Sequence, residues 1–169
     1  MKAVASRKSA SPLDLKVAEV MEKRIVTVSR TAPLSEVERL LTEHRVSGMP
    51  VTDVSGRAIG VISYRDLLDH YADEEEERPR PRPDYYRVSA EELRDEDVDV
   101  GFEVPEESED TAEDAMTGEV IHVPSDTRLR EAARTMSKRG IHRLLVTDPQ
   151  THKVVGIVSA LGLLSALSR

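Results

Sequence analysis

Gly60-Val61-Ile62-Ser63-Tyr64-Arg65-Asp66-Leu67-Leu68 recurs as Gly156-Ile157-Val158-Ser159-Ala160-Leu161-Gly162-Leu163-Leu164, 96 positions further along the chain. In both stretches a short apolar strand ends at a serine that opens a helix. Upstream the match continues at an offset of 95: Met21 with Met116, Val28 with Val123, Leu34 with Leu129, Glu36 with Glu131, Arg39 with Arg134, and Val51-Thr52-Asp53 with Val146-Thr147-Asp148. One inserted residue in a turn accounts for the change of offset. An ordered series of this kind marks an internal duplication. The copies occupy residues 16–71 and 111–169, preceded by a tail over 1–15 and separated by an insert over 72–110.

Each copy predicts the same elements. A short lead (Val17 to Met21; Ala112 to Met116) runs into a brief extended piece (Ile25 to Val28; Val120 to Val123). A helix follows, because Leu34, Val37, Leu40 and Leu41 in one copy and Leu129, Ala132, Ala133 and Met136 in the other recur at helical spacing. Two strands come next, Met49 to Val54 and Ala58 to Ile62, then Leu144 to Thr147 and Val154 to Val158. Between the first pair, Val54-Ser55-Gly56-Arg57 is a hairpin signal. The fold class is therefore α/β (α+β), with two tandem β-α-β-β-α units. One unit leaves a face of its small sheet bare, so the copies are expected to pack with pseudo-twofold symmetry, and a ligand is expected in the cleft between them.

Composition narrows the function. Without cysteine there are no disulfides, thiolate metal sites or cysteine nucleophiles, and a cytoplasmic location is the expectation. No apolar run approaches the ~20 residues of a membrane span, so no membrane association is expected. The five histidines (44, 70, 122, 142 and 152) lack ligand spacing, which argues against a metal site. No nucleophile elbow or P-loop is present, and no catalytic residue is assigned. The net charge of −8 hides a division. Residues 73–114 hold 19 Asp/Glu and 5 Arg, a balance of −14, which leaves the rest of the chain at +6. The body suits an anionic ligand, while the insert repels nucleic acid.

Within the insert, an acidic run (Asp73 to Glu77) leads into Arg78-Pro79-Arg80-Pro81-Arg82-Pro83, which favours extended, solvated chain. Ser89 to Leu93 carries a capping-box signal for a helical turn. Tyr85, Tyr86 and Phe102 are the large apolar residues available to dock it, but a mobile linker is the expectation.

The strand-end Ser63-x-x-Asp66 step, the Met-led extended piece, the helix, and Val46-Ser47-Gly48-Met49-Pro50-Val51 together resemble a CBS (cystathionine-β-synthase) domain. The second copy, with Ile141-His142-Arg143-Leu144-Leu145-Val146-Thr147-Asp148 and Gly156-Ile157-Val158-Ser159, resembles another. The resemblance implies a stand-alone tandem pair, or Bateman module, that is non-catalytic and regulatory. It implies no cofactor beyond a regulatory adenine nucleotide or adenosyl ligand (AMP, ADP, ATP or S-adenosylmethionine). An energy- or metabolite-sensing role follows, with a homodimer formed through the helices and a regulated partner protein not identifiable from the sequence. On this resemblance Ser63 and Asp66 hold the ribose, Val61, Val120 and Ile121 flank the base, with His122 a further candidate, and His142, Arg143 and Arg65 meet phosphate, with Lys138 and Arg139 as weaker candidates. Gly162 stands where Asp66 would recur, so the second site (Val26, Thr27, Val46, Ser47, Met49 and Ser159) is expected to be weaker.

Plainer readings compete with these. Ser63-x-x-Asp66 is also an ordinary capping box, and His142-Arg143 also fits a strand edge paired with the acidic insert. An alternative of a different class is a dimerising scaffold with little ligand binding, whose acidic insert recruits a partner.

Overall fold

The computed structural model describes residues 12–71, 84–87 and 109–168. The first copy forms β1 (Val28–Ser29), α1 (Leu34–His44), β2 (Gly48–Thr52), β3 (Ala58–Ser63) and α2 (Tyr64–Tyr71). A four-residue helix, α3 (Asp84–Arg87), precedes the second copy, whose lead holds the short α4 (Ala112–Ala115). That copy forms β4 (His122–Pro124), α5 (Leu129–Arg139), β5 (Arg143–Thr147), β6 (Val154–Ser159) and α6 (Ala160–Leu167). Each sheet has three strands, with the first parallel to the second and the second antiparallel to the third.

The duplication is visible in local detail. Met49 faces Ile62 as Leu144 faces Val158, and the register shifts at Val51/Thr52 and again at Val146/Thr147. Helix α1 buries Leu34, Val37 and Leu41, and α5 buries Leu129, Ala132 and Met136, the apolar stripe the spacing predicts. Both helices end on a left-handed residue, Arg45 (φ 50) and Gly140 (φ 62). Both hairpins are held by an aspartate: Asp53 Oδ1 accepts from the Ser55 and Arg57 amides, and Asp148 Oδ1 from those of Gln150 and Thr151.

The leads, however, are exchanged. Glu22 and Ile157 trade two backbone hydrogen bonds of 2.8 and 2.9 Å, and Thr117 and Val61 trade two of 2.9 Å. Val17 therefore joins the core of the second copy, while Ala112 and Ala115 join the core of the first. Close approach needs glycine at both crossings. A Cβ on Gly60 would fall 2.5 Å from Met116 Sδ, and one on Gly156 would fall 2.7 Å from Met21 Sδ. The hairpins also meet, the Val154 amide donating to the Gly56 carbonyl at 3.1 Å. The two halves are thus interlocked about the pseudo-twofold axis. Among the described residues, no helix is long and apolar enough to cross a membrane.

Candidate functional site between the repeats

The strand-to-helix step of the first copy puts Ser63 at the end of β3 and Asp66 one turn into α2. Asp66 Oδ2 accepts from the Ser63 amide at 2.7 Å and from Ser63 Oγ at 2.5 Å, so the capping-box reading and the site reading describe the same geometry. Thr117, from the lead of the second copy, donates its hydroxyl to Asp66 Oδ1 at 2.9 Å. Three acceptor directions of the carboxylate are thus taken among the described residues, and a carboxylate has about four. Asp66 is half-buried, and desolvation lifts its pKa above the ordinary 3.8 against the lowering effect of its Ser63 and Thr117 hydrogen bonds.

Val120, half-buried, and Ile121, buried, follow Thr117 in the same lead. Val61 is fully buried, and its backbone pairs with Thr117. Arg65 is exposed and pairs with Asp69 at 3.9 Å. His142 is exposed and Arg143 half-buried, at the start of β5 in register with Ser159. Burial lowers the Arg143 pKa.

Tyr85 and Tyr86 of the insert depart from the solvated linker expected. Tyr85 and Tyr86 are each 1% exposed and belong to the core cluster that includes Val61, Ile121 and Ile141. Tyr86 Oη accepts from the Ile121 amide at 2.9 Å, and the Tyr86 carbonyl accepts from the His142 amide at 2.7 Å. The Arg143 guanidinium lies 5.1 Å from the centre of the Tyr85 ring. Arg143 therefore does meet the insert, through an aromatic face. The capping-box turn at Ser89 to Leu93 and the anchor Phe102 lie outside the described residues.

In the second site, Ser159 caps α6 by accepting from the Gly162 amide at 3.1 Å, and no carboxylate stands at that position. Val26, Val46 and Ser47 are half-buried and Thr27 is exposed. Met49 is 1% exposed and packed in the first core, so its side chain does not line an open slot.

Two contacts described above were not expected from the sequence. Thr117 had a signal, since Glu22 is its counterpart and the two copies differ there. Tyr85 and Tyr86 were visible as anchors, but their surroundings of like charge pointed to solvent.

The sequence profile of the CBS domain matches residues 17–73 and 112–169, one match for each repeat. The chain belongs to the CBS domain family, as a tandem pair. A similar curated protein, an uncharacterised protein of Methanocaldococcus jannaschii, is 29% identical over 158 residues, covering 89% of this chain and 90% of its own length. Among solved structures, the CBS domain of a bacterial CNNM/CorC family Mg2+ transporter in complex with ATP is 21% identical with a TM-score of 0.62, covering 93% of this chain and 89% of that one. A CBS protein, CBSX2, in complex with AMP is 25% identical with a TM-score of 0.60, covering 89% of this chain and 94% of that one. A CBS domain pair in complex with 5′-methylthioadenosine and S-adenosyl-L-methionine is 21% identical with a TM-score of 0.59, covering 91% of this chain and 96% of that one. These neighbours share the fold of two small three-stranded sheets with flanking helices.

Proposed function

We propose that this chain is a non-catalytic regulatory module that binds an adenine nucleotide or adenosyl ligand between its repeats. The observation that carries the reading is the Asp66 carboxylate, held by Ser63 of one repeat and Thr117 of the other where the two repeats meet. Its remaining acceptor direction suits one ribose hydroxyl directly, and displacement of Thr117 Oγ would admit the second. Ser63 orients the carboxylate, Val120 and Ile121 give the base an apolar wall, Arg143 and Arg65 supply positive charge toward phosphate, and His142 offers a ring nitrogen there, while Val61 lies too deep to line the wall. The neighbours bound to ATP, AMP and S-adenosylmethionine support this class of ligand. The pseudo-equivalent position around Ser159, Ser47 and Val26 is the weaker site, because Gly162 brings no carboxylate.

Leu68, Leu161, Leu164 and Leu167 expose 38–60% of their surface on α2 and α6, which supports a homodimer formed through these helices. The absence of a carboxylate at Gly162 favours a second reading, a scaffold with little binding. Calorimetry decides between the two. Wild type is expected to bind at least one of AMP, ADP, ATP and S-adenosylmethionine, and Asp66→Ala to lose that binding. Ligand at 100 times its Kd should add about 2.7 kcal/mol to the unfolding free energy. Silence from all four ligands would remove the nucleotide reading.

A further inference from the structure

Positions 48 and 143 are equivalent in the duplication, and both touch the same side chain. A Cβ on Gly48 would fall 2.8 Å from Tyr85 Cδ2, so only glycine leaves room for the ring there, while Arg143 lies over that ring from the other repeat. Tyr85 therefore sits between equivalent positions of the two copies, at the pseudo-twofold axis. Tyr86 lies edge-on to it, ring centres 5.1 Å apart. Its hydroxyl oxygen takes the amide of Ile121, four residues beyond the Thr117 that holds Asp66.

We infer that the Tyr85–Tyr86 pair is a built-in competitor that occupies the base end of the Asp66 site and must be displaced for a nucleotide to bind. The inference rests on the nucleotide reading above and concerns the regulation of that site. Its physical basis is likeness of contacts. A purine offers a flat aromatic face for an apolar wall or a guanidinium, and ring nitrogens at its edge that accept from a backbone amide. The tyrosine pair presents both: a ring face to Arg143, and an oxygen to the Ile121 amide. Either occupant satisfies that buried donor, but both cannot do so at once. The His142 amide to the Tyr86 carbonyl, at 2.7 Å, fastens α3 to the strand end that carries Arg143. A ligand entering here has to break that tie as well, so its apparent affinity is reduced by the fraction of molecules in which α3 is docked. The insert then reports on occupancy: docked without ligand, released with it.

The test is calorimetry with AMP, ATP and S-adenosylmethionine on the full chain, comparing wild type, Y86F and the double variant Y85A/Y86A, with circular dichroism to confirm folding. Y86F keeps the ring but leaves the Ile121 amide without its acceptor in the docked state. It is expected to tighten nucleotide binding about fivefold, and the double variant about tenfold or more. Should the double variant fail to fold, Y86F alone decides. A second readout is nitration of tyrosine by tetranitromethane, mapped by mass spectrometry with Tyr64 as internal reference. Saturating AMP is expected to raise nitration at Tyr85 and Tyr86. Equal affinity in all three proteins, weaker binding in the variants, or tyrosines that stay protected with AMP bound would each overturn the competitor while leaving the nucleotide reading intact. No binding by any of the three would overturn both.

Discussion

Alanine at Gly60 tests the exchanged leads. The added Cβ would lie 2.5 Å from Met116 Sδ, 2.9 Å from the Thr117 carbonyl oxygen and 3.0 Å from Met116 Cγ. The thioether is flexible and swings aside at modest cost. The carbonyl does not, because Thr117 and Val61 are joined by two backbone hydrogen bonds of 2.9 Å. The methyl must therefore compress the crossing or separate it. Compression of a packed site costs about 1–3 kcal/mol, and each hydrogen bond lost costs about 1 kcal/mol net. A destabilisation of about 2–4 kcal/mol is expected, which for a chain of this size lowers Tm by roughly 5–15 °C. Gly118→Ala is the control, since nothing lies within 4 Å of its added Cβ, and it should stay within ~0.5 kcal/mol of wild type. Urea unfolding followed by circular dichroism, together with scanning calorimetry, measures both. A Gly60→Ala protein that melts with wild type would refute the exchanged packing. In Gly60→Ala/Met116→Ala only part of the loss should return, because the carbonyl contact persists, and full recovery would assign the clash to the sulfur alone.

Further outcomes follow from the same geometry. Because the folded pKa of Asp66 is raised, the native state holds more protons than the unfolded chain between pH 3.8 and that raised value, so this group's contribution to stability falls as pH rises through that window. Asp66→Asn removes the contribution: the wild-type minus variant difference in unfolding free energy should decline with pH there, and a flat or rising difference would contradict it. The same variant should weaken nucleotide binding roughly 10–100-fold, as expected for loss of a charged hydrogen-bond acceptor. Gly162→Asp completes the capping box at Ser159, where the added Cβ meets nothing closer than Ser159 Oγ at 3.5 Å. It should raise stability by about 0.5–1.5 kcal/mol and move calorimetric stoichiometry toward two ligands. Arg45→Gly relieves the left-handed cap of α1 at φ 50 and should raise the unfolding free energy by about 0.5–1 kcal/mol, whereas Gly140→Ala should lower it. Thermal melts that show the same sign for both would contradict the cap assignment.

What the sequence made legible is what local physics determines. The helical stripe of Leu34, Val37 and Leu41 and the Asp53 turn need only residues a few positions apart, and the capping box of Ser63 and Asp66 is equally local. The antiparallel β2–β3 pair followed from the hairpin signal Val54-Ser55-Gly56-Arg57. What spacing does not carry is which copy a segment packs against. Val17 and Ala112 are apolar in either arrangement, and only closure of two bare sheet faces decides that each lead crosses to the other repeat. The Tyr85–Tyr86 contact was hidden differently. An insert with 19 acids in its neighbourhood averages to a solvated chain, but two adjacent rings bury enough apolar area to dock four residues whatever their neighbours carry.

The pattern of agreement and difference between the copies bears on where function lies. Pairs that carry the packing are kept: Gly60 and Gly156 under the two methionines, Leu34 and Leu129 opening the helices, the repeated register shift, and the left-handed turn residues Gly56 and His152. Among the pairs that have diverged are Asp66 with Gly162, Thr117 with Glu22, and Gly48 with Arg143. The three changes act together. Asp66 and Thr117 join across the repeats, Gly48 leaves room for the Tyr85 ring, and Arg143 lies over that ring. Thr117→Glu, which restores the counterpart residue Glu22 at that position, should therefore weaken nucleotide binding without creating a second site. On the proposed reading, then, one nucleotide site is divided between the two halves, and the segment that joins them carries its competitor.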